Sequence, residues 1–132
     1  MILVDANIHI FATIAEYPEH EGAARRLREA LDAGVATTPI ILSEVFHQLT
    51  RLLGPRDAQR RVSAILASPR VTYLGLEPEA FPRAMDLCVR HGLRVNDGLI
   101  AQQALDAGIP VLTDNVRDFR RVPGLEVRAF RP

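Results

Sequence analysis

Carboxylates dominate the residues of this 132-residue chain that could do chemistry. Asp5 directly follows the apolar run Ile2-Leu3-Val4. Asp114 directly follows the run Val111-Leu112-Thr113, and Asp118 comes one helical turn later. Short continuous apolar runs are typical of strands buried on both faces of a parallel sheet. Because functional sites in such sheets lie beyond the carboxyl ends of the strands, these acids are predicted to meet at one edge.

A further acid falls on the apolar side of a predicted helix. At about 100° per residue, Asp97 shares a helix face with Ile100, Ala101 and Ala104. A carboxylate on a buried face is costly unless something pairs with it, which favours a functional role. The alternative is that Asn96 or Asp97 caps the helix by accepting hydrogen bonds from free backbone N–H groups, and one carboxylate can do both.

Glu44 is the acid whose position is least informative by itself. It lies roughly opposite the apolar stripe of its predicted helix, beside Gln48 and Arg51, so a solvated surface glutamate is the alternative. Glu44 and His47 also form a Glu-x-x-His pair. A di-iron helix bundle needs two such pairs on different helices, and the chain has one, which argues against that class.

The elements that must position these acids alternate along the chain. The pattern predicts a single α/β domain over residues 1–132, with a mostly parallel sheet of about four to five strands flanked by helices. The predicted strands cover residues 2–4, 35–38, 71–74, 111–113 and 125–127. The predicted helices cover residues 6–15, 18–33, 39–53, 56–68, 77–90 and 96–107.

Composition excludes several other classes. All 16 basic residues are arginine, which removes Schiff-base enzymes, ordinary P-loop NTPases and lysine-dependent phosphotransfer domains. The formal net charge is zero and aromatic residues make up 5%, so neither a global positive field nor a base-stacking platform is indicated. The one cysteine, Cys88, excludes a disulfide framework and is predicted to be a core residue. The N-terminus lacks a signal peptide and no run is long enough for a membrane span, so we expect a cytoplasmic protein.

Several short motifs, in order and in their strand–helix context, resemble a PIN domain, and specifically the VapC-type toxins of bacterial toxin–antitoxin pairs. The motifs are Val4-Asp5-Ala6-Asn7, Ser43-Glu44-Val45, Asn96-Asp97-Gly98-Leu99-Ile100-Ala101, Leu112-Thr113-Asp114-Asn115-Val116-Arg117-Asp118-Phe119 and Val122-Pro123-Gly124-Leu125. The resemblance covers nearly the whole chain. It implies a PIN-like three-layer fold and metal-dependent ribonuclease activity.

The resemblance also implies which acids hold the metal. Asp5, Glu44 and Asp97 match the three metal-holding acids of the family. The family's variable fourth position falls on Asn115, a neutral and weaker ligand, and either Asp114 or Asp118 could supply the missing charge. We expect Asp5 and Asp97 to coordinate directly, and Glu44 and an acid of the 114–118 turn to act through waters or a second ion.

The chemistry explains why oxygen ligands are needed. Hydrolysis of a phosphodiester requires a nucleophilic water and neutralisation of charge on the phosphoryl and leaving oxygens. Mg²⁺, for which Mn²⁺ is expected to substitute, supplies both and prefers oxygen ligands. Asn7, Thr113 and Asn115 are candidates to hydrogen-bond to the acids, with turn capping as the alternative.

The remaining predictions concern substrate and partners. Arg117, Arg120 and Arg121 are candidates to bind RNA phosphates, and a solvated helix face pairing with Asp118 is the alternative. The resemblance implies single-stranded or looped RNA as substrate, a cognate antitoxin that covers the site, and a homodimer. The apolar end of the third predicted helix, residues 49–53, could serve those protein contacts or be ordinary core.

Two other functions stay open at this point. Asn115 in place of an acid favours a catalytically weak PIN module that acts as a binding or regulatory protein. A small metal-dependent 5′-nuclease or phosphatase would use the same cluster of acids.

Overall fold

The structure, a computed structural model, describes residues 1–132 and consists of a five-stranded parallel sheet and seven helices. The strands are β1 (Ile2–Val4), β2 (Val35–Thr37), β3 (Val71–Tyr73), β4 (Val111–Thr113) and β5 (Val127–Ala129). The helices are α1 (Ala6–Thr13), α2 (His20–Ala33), α3 (Pro39–Leu53), α4 (Pro55–Ala67), α5 (Ala80–His91), α6 (Val95–Ala107) and α7 (Val116–Phe119).

The strand order is β3-β2-β1-β4-β5, and all four pairings are parallel. Strands β2 and β3 therefore lie on one side of β1, and β4 and β5 lie on the other side. The order reverses between β1 and β4, where Leu3 pairs with Val111 and Val4 with Leu112. Crevices beyond the carboxyl ends of strands at such a reversal are the usual ligand sites of open α/β sheets. The predicted α/β fold is confirmed.

Side chains of the central strands alternate between two hydrophobic layers. Leu3 and Val111 belong to a core of 17 buried residues, which also includes side chains of α3, α4 and α6. Ile2, Val4 and Leu112 belong to a second core of nine buried residues, completed mainly by α2. This alternation follows from the two-residue period of a strand. The sheet is thus covered on both faces, as a parallel sheet requires.

Local sequence signals explain where α3 begins and ends. Thr38 precedes the helix in extended conformation, and its Oγ1 accepts a hydrogen bond from the Ile41 N–H at 3.2 Å, while Pro39 occupies the first turn. Gly54 ends the helix at φ 92°, a conformation that favours glycine, and Pro55 begins α4. These signals fix the helix that carries Glu44.

Several predicted boundaries differ from those observed. Helix α2 begins at His20 because Pro18 lies in the preceding turn, and α5 begins at Ala80 because residues 77–79 form a turn. The last strand covers residues 127–129 because Val127 pairs with Val111, and it leaves Leu125 in a turn. None of the seven helices combines the length and the hydropathy that a membrane-spanning helix needs.

The apolar end of α3 is only partly core. Leu49 is fully buried, whereas Leu52 and Leu53 are more than 40% exposed. Cys88 of α5 is half-buried and packs against the larger core, in agreement with its predicted core position.

Candidate active site

A cavity of about 410 Å³ lies beyond the carboxyl ends of β1 and β4. Four acids from four different elements line it, namely Asp5, Glu44, Asp97 and Asp118. The structure therefore brings together the three acids on which the sequence interpretation depends, with a fourth from the predicted turn. Other lining residues are polar (Asn7, Gln48, Arg94, Asn115) or apolar (Ala6, Ile10, Phe11, Tyr17, Leu52).

Asp5 is buried and held by hydrogen bonds at the start of α1. Its Oδ1 accepts from the Ala6 N–H at 2.8 Å, and its Oδ2 accepts from Thr113 Oγ1 at 2.7 Å. Burial raises the pKa of the Asp5 carboxyl, and the charge of Asp97 raises it further, while the hydrogen bonds from Thr113 and Ala6 oppose the shift. The fold therefore fixes the position of a carboxylate whose charge is poorly solvated.

Asp97 is buried in the first turn of α6. Helix α6 is preceded by Arg94 without any side-chain cap, so the capping interpretation of Asn96 or Asp97 is wrong. Asp97 Oδ2 instead lies 3.5 Å from Arg94 Nε and accepts a hydrogen bond from Asn115 Nδ2 at 3.4 Å. Burial raises the pKa of Asp97 and Asp118 adds to the rise, whereas Arg94 lowers it.

Glu44 is half-buried at the cavity wall rather than free on the surface. Burial raises the pKa of its carboxyl, and the charges of Asp5 and Asp97 raise it further. Helix α3 starts from the end of β2, which neighbours β1, and this places Glu44 above the same edge of the sheet. The three acids thus repel one another electrostatically.

The structure separates the two candidates for the fourth acid. Asp118 lines the cavity and pairs with Arg121 at 3.0 Å. Asp114 does not line the cavity, because both of its oxygens accept hydrogen bonds from Arg131, at 2.8 and 3.0 Å. Asp118 is therefore the acid of this turn that is available to the site.

The predicted polar supports connect β1, α1 and the turn after β4. Asn7 Nδ2 donates to Asp5 Oδ2 at 3.4 Å, and Asn7 Oδ1 accepts from the Asp114 N–H at 3.2 Å. Thr113 Oγ1 accepts from the Asn115 N–H at 2.9 Å while it donates to Asp5. This network orients Asp5 relative to the turn that carries Asn115.

The three arginines that are candidates to bind RNA phosphates lie beside Asp118 in the chain and outside the cavity lining. Arg117 and Arg120 are exposed without ion pairs, Arg121 pairs with Asp118, and none of the three lines the cavity. Arg94, which the sequence interpretation overlooked, does line it. The signal that could have identified Arg94 is its spacing, since a basic residue just before a helix and three positions before a buried acid in its first turn can face that acid.

The donor set can be compared with what a metal ion requires. All four acids supply oxygen, which suits a hard divalent cation, and the buried pair of Asp5 and Asp97 lacks a full counter-charge. No three His, Cys, Asp or Glu side chains are yet close enough together to hold one ion. The residues fit a divalent cation in type and charge, and their side chains would have to move closer together to coordinate it.

The chain belongs to the PIN domain family, whose model matches residues 2–125. Among solved structures, the VapC20 toxin of Mycobacterium tuberculosis, described as cleaving the sarcin-ricin loop, is 26% identical, with a TM-score of 0.81 over 97% of this chain and 99% of that chain. The DNA-bound VapBC of Salmonella typhimurium is 22% identical, with a TM-score of 0.76 over 98% and 97% of the two chains. VapBC-1 of Haemophilus influenzae is 21% identical, with a TM-score of 0.74 over the whole of both chains.

These comparisons confirm the predicted resemblance to VapC-type PIN domains. PIN domains of this type are nucleases. A comparison by sequence with curated proteins gave no match.

Proposed function

We propose that the protein is a metal-dependent endoribonuclease and the toxin of a toxin–antitoxin pair, and that it cuts RNA in the acidic cavity. The observation that carries this proposal is the meeting of Asp5, Glu44 and Asp97, which are far apart in sequence, in one cavity at the reversal of the sheet. Membership of the PIN family and the similarity to an RNA-cleaving toxin from Mycobacterium tuberculosis support it.

In this mechanism Asp5 and Asp97 would hold the metal ion directly, and Asp118 and Glu44 would act through waters or a second ion. A bound Mg²⁺ or Mn²⁺ supplies an acidified water and neutralises the phosphoryl oxygens. Thr113 and Asn7 keep Asp5 Oδ2 in a fixed orientation through their hydrogen bonds. Such a support is valuable because a ligand displaced by a fraction of an ångström loses much of its effect.

Two other side chains have proposed roles in the same reaction. Glu44 stands at the cavity wall with a raised pKa, which suits it to accept a proton from an attacking water. Arg94 is largely exposed and contacts Asp97 loosely, so its guanidinium is available to donate hydrogen bonds to a phosphate that enters the cavity.

The experiment is an RNA-cleavage assay with Mn²⁺ that compares the wild type, Asp97→Asn and Asp106→Asn. Asp106 lies on the same helix as Asp97 but pairs with Arg83 outside the cavity, so its substitution is a matched control. We expect Asp97→Asn to lose at least about 100-fold in rate, because it removes a metal ligand, and Asp106→Asn to keep its activity. Equal activity of the three proteins would rule out the proposed site.

A catalytically weak PIN module that binds RNA or protein is the second candidate, and Asn115 is the observation that favours it. Asn115 lines the cavity and donates to Asp97, where an acid would add charge to the metal site. If the wild type binds RNA without cutting it and Asn115→Asp gains cleavage, this second candidate is correct. Flap DNA and a phosphomonoester in the same assay test for a 5′-nuclease or phosphatase.

The proposed partners are a cognate antitoxin and a second copy of the chain. Solved VapBC assemblies among the similar structures support the antitoxin. Leu52, Leu53 and Phe46 on α3 are all more than 40% exposed and offer apolar surface for such contacts. Light scattering of the purified protein tests the homodimer, and a short neighbouring gene whose product inhibits the nuclease would establish the antitoxin.

A further inference from the structure

Another cavity, with a mostly apolar lining, lies between α1, α2 and α4 and has a volume of about 100 Å³. Its polar lining residues are His9, Arg61 and Ser68, and the other six lining residues are apolar. Ala64 at its rim is exposed, so the cavity opens to solvent. None of its lining residues lines the acidic cavity.

His9 is the first unusual feature of this cavity. The side chain is 2% exposed, and neither Nδ1 nor Nε2 has a hydrogen-bond partner in the structure. Buried polar groups in folded proteins are almost always hydrogen-bonded, because a group left without a partner loses its interaction with water and gains nothing in return. The ring nitrogens lie beneath the cavity wall, so a ligand in the cavity reaches them once the lining side chains move aside.

Arg61 is the second unusual feature. Its Nε is buried without a hydrogen-bond partner, and no carboxylate lies within ion-pair distance of the guanidinium. The lining contains no acid, so the cavity carries an uncompensated positive charge. By contrast, the neighbouring Arg60 pairs with Asp57 at 3.0 Å.

We propose that this cavity is a binding site for a carboxylate group, which the Arg61 guanidinium and the His9 imidazole N–H hold together. A planar carboxylate matches the forked donors of a guanidinium, and each of its two oxygens keeps a lone pair for a further donor. The apolar remainder of the lining suits the methyl or methylene group that a carboxylate carries. Water alone would leave the charge of Arg61 without a counter-ion.

The state of His9 agrees with this assignment. Burial and the charge of Arg61 lower the pKa of the imidazole to about 3, so it is neutral at pH 7 and carries one N–H donor. The carboxylate has two sources of the same chemistry, a free small acid or the side chain of Asp or Glu on a bound protein segment.

The first test uses the wild-type protein and sodium acetate. We expect the ring ¹⁵N signals of His9 to shift saturably with acetate, and those of His47, an exposed histidine on α3, to stay unchanged. Sodium chloride at the same ionic strength is the control and is expected to leave His9 unchanged. No saturable shift with acetate, or the same shift with chloride, would overturn the proposal and leave a cavity that holds only water.

The second test uses Arg61→Gln with Arg60→Gln as its matched control. Loss of the guanidinium is expected to weaken acetate binding about tenfold, because it removes a charged hydrogen bond, whereas Arg60→Gln leaves it unchanged. Equal weakening in both variants would show a general charge effect and contradict the site. If Arg61→Gln fails to fold, the wild-type titration still decides.

A third arm distinguishes the two sources. N-acetylglutamic acid α-amide, whose side-chain carboxylate is free, mimics a glutamate within a peptide, and acetate mimics a free acid. Tighter binding of the capped glutamate assigns the site to a protein segment, and equal or tighter binding of acetate assigns it to a free carboxylate. Failure of both ligands refutes this site and leaves the nuclease proposal untouched, since the assays share no residue.

Discussion

Thr113 Oγ1 donates a 2.7 Å hydrogen bond to Asp5 Oδ2, and the two residues are 108 positions apart. The bond joins the carboxyl ends of β1 and β4, the strands between which the sheet order reverses. The same Thr113 oxygen accepts a hydrogen bond from the Asn115 N–H, so one hydroxyl fixes Asp5 relative to the turn that follows β4. The fold therefore organises the acidic cavity before any ligand arrives.

Asp5→Asn is predicted to weaken metal binding without unfolding the protein. The buried Asp5 charge is unfavourable in the absence of metal, because its pKa is raised, and a neutral amide removes that cost. In thermal melts with EDTA, we expect the variant's Tm to equal or exceed the wild-type Tm. With millimolar Mn²⁺ the wild type gains stability by mass action and the variant gains less.

Asp57→Asn on the exposed start of α4 is the control for that melt and should behave as the wild type. A collapse of the Asp5→Asn fold in EDTA would instead assign Asp5 a structural role.

The metal-free protein is predicted to lose stability at the site as the pH rises. The pKa values of Asp5, Glu44 and Asp97 are all raised above their ordinary values, so the folded state holds these protons more tightly than the unfolded state. The contribution of the protonated acids to the free energy of unfolding is fully present below their ordinary pKa, near 4. It is lost as the pH rises through their raised pKa values in the folded state.

The measurement is the Tm in EDTA for the wild type and Asp97→Asn, taken from below the ordinary carboxyl pKa up to neutral pH. The difference in Tm between wild type and variant separates the effect of the site from that of the surface carboxylates. We expect the wild-type Tm to fall relative to the variant Tm as the pH rises. A difference that is constant with pH would mean that Asp97 titrates normally.

Asp118 and Asp114 are predicted to differ in their effect on metal binding. Asp118 lines the cavity, whereas the two oxygens of Asp114 accept hydrogen bonds from Nε and Nη2 of Arg131 outside the cavity. Asp118→Asn should therefore weaken Mn²⁺ binding several-fold, and Asp114→Asn should leave it unchanged. Isothermal titration of the two variants measures this, and the reverse order would assign the fourth position to Asp114.

Gly98→Ala is predicted to destabilise the contact between α5 and α6. A Cβ at this position would overlap Cys88 Sγ and lie 3.0 Å from the Ala84 carbonyl oxygen. Overpacking of this kind costs roughly 1–3 kcal/mol, or several degrees in Tm for a protein of this size. Adding Cys88→Ala should recover part of the loss, since only the sulfur is removed, and a double variant no more stable than Gly98→Ala would contradict this packing account.

Much of the fold followed from local patterns in the sequence. The run 2–4 is apolar without alternation, which predicts a strand buried on both faces of a parallel sheet, and the order of strands and helices places Asp5 and Asp114 at the same edge of that sheet. The apolar face of α6 correctly predicted the burial of Asp97. These features depend on residues that are close in sequence, so the spacing of apolar residues along the chain is enough to predict them.

The finer arrangement depends on contacts between distant residues. The pairing of Asp114 with Arg131, 17 positions away, removes one of two neighbouring acids from the cavity, and no local pattern predicts it. The register of β5 on β4 places the last strand at residues 127–129, two residues later than predicted. Arg94 precedes α6 and faces Asp97 from there, and the helix begins two or three residues earlier than a capping Asn96 or Asp97 would place it.

The most direct test of the acidic cavity as a metal centre is anomalous diffraction from crystals soaked with Mn²⁺. The account predicts a manganese peak between the carboxylates of Asp5 and Asp97, with Glu44 and Asp118 facing its bound waters. No peak in the cavity at millimolar Mn²⁺, or a peak held by other residues, would contradict it.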